Sequence, residues 1–134
     1  MTAAAPLAVT MGEPAGVGGE LTLKAWLKRG PATRPFFALD DSERLGALAR
    51  RLGLDVPLRA IAAPAEAEAV FPAALPVLPI PLRGPVEAGR PDAVNAPATV
   101  ESIKRGASLA LAGDIAGLVT NPIQKKTQIG RAHV

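Results

Sequence analysis

A short apolar run, Leu7-Ala8-Val9-Thr10-Met11, leads directly into Gly12-Glu13-Pro14-Ala15-Gly16-Val17-Gly18-Gly19-Glu20, a nine-residue stretch with four glycines and one proline. The run reads as a buried first strand, and the glycines and proline mark a loop. Leu21, Leu23, Ala25, Trp26 and Leu27 then suggest a helix that closes near Gly30-Pro31. Strand, glycine loop and helix in immediate succession define the opening of an α/β unit.

The same alternation continues along the chain. Phe36-Phe37-Ala38-Leu39 reads as a second strand, Asp40-Asp41-Ser42 offers capping side chains, and a helix from about Glu43 to Leu52 stops at Gly53. Between Asp55 and Pro97 the chain is rich in proline, including Leu75-Pro76-Val77-Leu78-Pro79-Ile80-Pro81-Leu82. Proline removes a ladder donor, so short edge strands and surface connections are expected there. From Ala98, the residues Val100, Ile103, Ala107, Leu109, Ala110 and Leu111 suit a helix that stops at Gly113. Asp114 to Thr120 reads as a buried strand, with Asn121-Pro122-Ile123-Gln124-Lys125-Lys126 at its carboxyl end, where open α/β sheets place ligand loops. The expected architecture has helices on both faces of a mixed sheet.

A chain of 134 residues with 49% hydrophobic content is sized for one domain. Pro, Gly or a charge interrupts every apolar run before the roughly 20 residues a membrane-spanning helix needs, so no membrane partner is expected. The N-terminus lacks the pattern of a secretory signal, which implies a cytoplasmic protein. Cysteine is absent, which excludes disulfides and thiolate chemistry. The net charge of +3 is dispersed in pairs such as Lys28-Arg29, Arg50-Arg51, Lys104-Arg105 and Lys125-Lys126. With three Phe, one Trp and no Tyr for base stacking, a nucleic-acid partner is not expected either.

Two segments could carry chemistry. In the Gly12 loop, small residues let backbone amides approach a ligand, and the following helix N-terminus favours a phosphate or carboxylate. Its spacing matches neither the dinucleotide fingerprint nor the P-loop, and a tight turn that admits close helix packing accounts for the same glycines. In Thr120-Asn121-Pro122-Ile123-Gln124-Lys125, a hydroxyl, a carboxamide and an ammonium could converge on a phosphorylated substrate. A capped helix start with exposed lysines is the competing reading. Glu13, Glu20, Asp40, Asp41 and Asp114 show no spacing that pairs two carboxylates, and capping or solvation is their expected role.

Together, Thr10-Met11-Gly12-Glu13-Pro14-Ala15-Gly16-Val17-Gly18 and the later Gly113 to Lys125 segment resemble the signatures of the 4-hydroxythreonine-4-phosphate dehydrogenases, T-x-G-[DE]-P-A-G-[IV]-G-P-E and T-[NAG]-P-I-x-K. Gly89 and Asn95-Ala96 fit the middle region of that family, and Gly19 stands where its signature has proline. The likeness extends from Pro6 to Lys126. It implies an N-terminal part of an isocitrate-dehydrogenase-like α/β/α sandwich, incomplete in this chain. It also implies NAD-dependent oxidation and decarboxylation of 4-(phosphooxy)-L-threonine by a full-length, homodimeric parent using NAD(P) and a divalent metal such as Zn, Mg or Co. Gly12, Glu13, Pro14, Gly16, Asn121 and Lys125 are then candidate cleft-lining residues.

The family's later P-G-H-T-E segment and its metal-ligating histidines have no counterpart here, since the sole histidine is His133. No catalytic or metal-ligating residue is therefore assigned, and neither activity nor tight cofactor binding is expected of this chain alone. Residues 1–127 are read as the dehydrogenase segment and 128–134 as a non-native tail, because Ile129-Gly130-Arg131-Ala132-His133-Val134 is a possible translation of ATC GGA AGA GCA CAC GTC, a common sequencing adapter. The alternatives are a related 4-phospho-threonate or 4-phospho-erythronate dehydrogenase and a short non-catalytic phosphate-binding protein.

Overall fold

Apolar side chains alternate between two faces along the strands, and this alternation builds two cores on a single sheet. A computed structural model describes residues 5–12, 17–80 and 96–121. Its strands are β1 (Leu7–Thr10), β2 (Phe36–Asp40), β3 (Leu58–Ala60), β4 (Leu75–Pro79) and β5 (Gly117–Val119). The helices are α1 (Gly18–Leu27), α2 (Ser42–Leu52), the single turn α3 (Ala67–Val70) and α4 (Ala96–Leu111). Val9, Phe36, Ala38, Leu75 and Val77 face one core with Leu23 and Trp26 of α1 and Leu45 of α2. Ala8, Phe37, Leu39 and Leu78 face the other with Ala98 of α4. No helix among the described residues is long and apolar enough to cross a membrane.

The strand order is β3-β4-β2-β1-β5, and every pairing is parallel. The described sheet is thus uniformly parallel where a mixed one was expected. Connections running toward β3 carry α1 and α2 on one face, and the return from β4 to β5 carries α4 on the other. Opposite directions of travel put helices on opposite faces, as right-handed crossovers require.

The proline-rich segment departs from expectation. β3 is an edge strand, but β4 pairs on both sides and is interior. Its two prolines fall where little is lost. Leu75 N–H donates to Pro57 and Val77 C=O accepts from Ile61, so these residues turn toward β3, and Pro76 between them turns toward β2. The β2 ladder opens only with the Ala38–Val77 pair, so the missing Pro76 donor falls at its start. Pro79 turns toward β3, past the last β3 pair at Ala60. Proline spacing signalled an edge because it ignores which side each missing N–H would face.

One more expectation is corrected. Among the described residues β5 is a three-residue edge strand with Val119 46% exposed, not the buried strand expected over Asp114 to Thr120, because its one described partner is β1. In α4 the buried face comprises Ala98, Thr99, Ser102 and Gly106, whereas Leu111 is 90% exposed. Small residues bring this helix close to the sheet: a Cβ at Gly106 would lie 2.5 Å from Leu118 Cδ1 and 3.2 Å from Leu39 Cδ1. Its buried hydroxyls serve the strand ends. Met11 N–H donates to Ser102 Oγ at 2.8 Å, Ser102 O–H donates to Leu39 C=O at 2.8 Å, and Thr99 O–H donates to Gly12 C=O at 2.9 Å.

Removing the Ser102 hydroxyl strands a buried donor and weakens the satisfaction of a buried acceptor at once. Ser102→Ala is expected to destabilise the chain by about 1–3 kcal/mol, whereas Ser108→Ala on the exposed side of α4 should fall within about 0.5 kcal/mol. Urea unfolding followed by the fluorescence of the single, buried Trp26 checks both.

Candidate functional site

The winding reverses at β1, because β2 lies on one side of it and β5 on the other. Open parallel sheets bind ligands outside the carboxyl ends of the strands at such a switch point. The Gly12 loop leaves β1 there, and Asn121 follows β5 on the adjacent strand. Of the candidate cleft residues, Gly12 and Asn121 are therefore brought together at the switch point, whereas Glu13, Pro14, Gly16 and Lys125 lie outside the described residues.

Each end of the loop is held. Gly12 adopts φ +70°, a left-handed conformation that glycine takes without a Cβ clash, and its carbonyl is fixed by Thr99. At the far end, Gly18 begins α1 against Asn121. A Cβ at Gly18 would lie 2.9 Å from Asn121 Cβ and 3.1 Å from the Met11 carbonyl oxygen. Asn121 Nδ2 directs its two hydrogens at three acceptors, Thr10 C=O at 3.0 Å, Thr22 Oγ1 at 3.0 Å and, through a shared hydrogen, Gly18 C=O at 3.3 Å, while its backbone N–H donates to Thr10 Oγ1 at 3.1 Å. The carboxamide donors of Asn121 are thus engaged within the protein.

Gly19, where the resembling signature has proline, faces α2: a Cβ there would lie 2.9 Å from both Arg44 Nη1 and Leu48 Cδ2. Close packing at the start of α1 thus explains Gly18, as the competing sequence reading allowed, whereas the atoms facing Gly19 are the movable ends of long side chains.

At the end of β2, Asp41 caps α2 by accepting from Arg44 N–H at 3.0 Å, as its position implied. Asp40 is not solvated. Its carboxylate is 2% exposed and accepts from Arg44 Nη2 at 2.6 Å and Nε at 3.1 Å, within an ion pair buried on both sides. Burial raises the Asp40 pKa above the usual carboxylate range, and the Arg44 guanidinium pulls the other way. A cavity of about 270 Å³ opens on the α1 side of the sheet, lined by Leu7, Val9, Leu21, Ala25, Phe36 and Val119 together with Thr22 and Asn121. That lining is too apolar to hold a phosphorylated substrate, so the Gly12 loop remains the better candidate.

Sequence reading missed Thr99, Ser102 and the Asp40–Arg44 pair. A signal existed for the hydroxyls: Thr99, Ser102 and Gly106 recur at three- and four-residue spacing, the mark of one helix face. Asp40 and Arg44 are likewise four apart, but Asp40 lies just outside the helix they connect.

Fold and site thus define a doubly wound α/β protein with a glycine loop at its switch point. The sequence model of the pyridoxal phosphate biosynthetic protein PdxA family matches residues 32–133. A 4-hydroxythreonine-4-phosphate dehydrogenase of Methylorubrum extorquens is 47% identical over 96% of this chain and 38% of its own length. One from Caulobacter vibrioides is 44% identical over 90% of this chain and 35% of its own. Crystal structures of enzymes of that name superpose on the chain with TM-scores of 0.82 for Klebsiella pneumoniae, at 27% identity, and 0.85 for Burkholderia phymatum, at 25% identity. These cover 97% and 94% of this chain and 41% and 38% of theirs. The chain belongs to the PdxA family, and it spans about two-fifths of the length of the relatives it matches.

The buried ion pair has a testable pH signature. With its folded pKa raised, Asp40 binds its proton more tightly in the folded chain, so its contribution to stability is greatest in acid and is lost as pH rises through the folded value. Arg44→Met removes the opposing pull and should destabilise by about 3–5 kcal/mol near pH 7. The deficit should narrow as the pH is lowered and Asp40 takes up its proton. Thermal unfolding of both proteins across this range would show a pH-independent deficit if the pair is unimportant.

Proposed function

We propose that this chain is a segment of an NAD-dependent dehydrogenase that oxidises 4-(phosphooxy)-L-threonine in pyridoxal phosphate biosynthesis. Family membership carries the reading, and the switch-point position of the Gly12 loop supports it. A bound nicotinamide would supply the oxidant for this reaction, taking the hydride that the carbinol carbon loses as its hydroxyl gives up a proton. The resulting β-keto acid releases carbon dioxide and leaves 3-amino-2-oxopropyl phosphate. Backbone amides of the Gly12 loop and the N-terminus of α1 hold an anionic group of the substrate, with Lys125 adding charge from the neighbouring loop.

Among the described residues, no three His, Cys, Asp or Glu side chains stand close enough to hold a metal, and the buried carboxylate of Asp40 is occupied by Arg44. The metal ligands are assigned outside the described residues. The active unit in this reading is a cytoplasmic homodimer of the full-length protein, and this chain alone is inactive.

The test is turnover by the full-length protein, read as reduced nicotinamide, with 4-(phosphooxy)-L-threonine, 4-phospho-threonate and 4-phospho-erythronate as competing substrates. The first should win by about ten-fold or more in kcat/KM, and the 134-residue chain should show no turnover. Preference for either acid would shift the assignment to a related dehydrogenase. Activity of the short chain would overturn its assigned inactivity.

A further inference from the structure

One side chain closes the loop at both ends. Thr10 and Gly18 bracket residues 11–17, and Asn121 Nδ2 lies 3.0 Å from Thr10 O and 3.3 Å from Gly18 O. Its third acceptor is Thr22 Oγ1 at 3.0 Å, whose own O–H donates to Gly18 C=O at 3.0 Å. Every partner of Nδ2 is thus an acceptor, a requirement that an amide meets and a carboxylate of the same shape does not.

Gly18 is matched to this contact. It is absent from the glycines with positive φ, so backbone conformation does not demand glycine there. Proximity does: a Cβ would come within 2.9 Å of Asn121 Cβ, 3.1 Å of Asn121 Cγ and 3.1 Å of the Met11 carbonyl oxygen. Two of those atoms belong to the backbone or to a Cβ and cannot swing aside.

We infer that Asn121 is a positioning residue for the glycine loop, setting the separation of its two ends from the exit of β5 rather than contacting substrate through its amide. The inference rests on the reading that this loop holds an anionic group of the substrate. A loop whose ends drift presents its amides less well to the ligand in ground and transition states alike, which weakens binding more than the chemical step.

Two measurements test it. In the 134-residue chain, Asn121→Asp keeps the side-chain volume but sets a carboxylate against three acceptors. Amide hydrogen exchange over Gly18–Thr22 should accelerate about ten-fold, while β2 and α2 stay unchanged. Asn121→Ala, which removes the donors without adding charge, serves if the aspartate variant does not fold. Gly18→Ala, which crowds the same contact from the other side, should give a similar local acceleration.

In the full-length enzyme, Asn121→Ala should raise KM for the phosphorylated substrate about ten-fold with kcat nearly constant. A purely structural defect would instead lower the active fraction, and so the apparent kcat, without moving KM. Raised KM with unchanged exchange would make Asn121 a substrate contact and overturn the inference, as would unchanged exchange and KM together. If the wild-type full-length protein turns over no phosphorylated substrate, the functional reading fails, and the exchange experiment still decides whether Asn121 holds the loop.

Discussion

The strands end in backbone groups that the sheet cannot satisfy, and in this protein hydroxyls and one carboxamide from other elements meet them. Ser102 bridges the end of β1 to the end of β2, from Met11 N–H to Leu39 C=O. Thr99 holds Gly12, and Asn121 holds Thr10 and Gly18. A buried unpaired backbone group costs about 1–3 kcal/mol. These side chains therefore fix where the sheet stops and the glycine loop begins. They approach from both sides of β1: α4 supplies hydroxyls from one face of the sheet, and the segment after β5 supplies the carboxamide from the adjacent strand. These separate demands meet at the carboxyl end of β1.

Much of this was legible in the sequence. The runs at Leu7 and Phe36, the Asp41 cap and the stop at Gly53, whose φ is +70°, all depend on local chemistry, and local chemistry is what a sequence displays. Helices on both faces followed from the alternation of elements. What could not be read depended on direction. Pro76 appeared to forbid an interior strand, yet the cost depends on whether its missing N–H points to a partner, and the register of β2 supplies none at that point. A helix that must lie close to a sheet buries small residues and hydroxyls and leaves Leu111 outside.

Of the candidate site, the sequence offered two residues that the structure describes, Gly12 and Asn121, but not the contacts that hold them. Gly12 and Asn121 were singled out as residues near a ligand, and the structure brings both to the switch point. Their partners lie far along the chain: Thr99 is 87 residues from Gly12, and Thr10 is 111 from Asn121. No local pattern encodes contacts at such separations, which arise only once β5 has been laid beside β1.

The glycines of the loop show why a motif alone underdetermines function. Gly12 needs its freedom of conformation, and Gly18 needs to be small beside Asn121. Each requirement would preserve a glycine in any protein with this packing, whether or not a ligand ever approached. The functional reading must therefore rest on where the loop is placed. An apolar cavity lies on the α1 side of the sheet, whereas the glycine loop opens from the carboxyl end of β1. The cavity offers a phosphorylated substrate little but apolar wall, and dehydration of a phosphate against such a wall is strongly unfavourable. The loop offers backbone N–H groups at the start of α1, where the helix dipole favours negative charge. Polarity therefore favours the loop end of the molecule over the cavity as the candidate site for an anionic group.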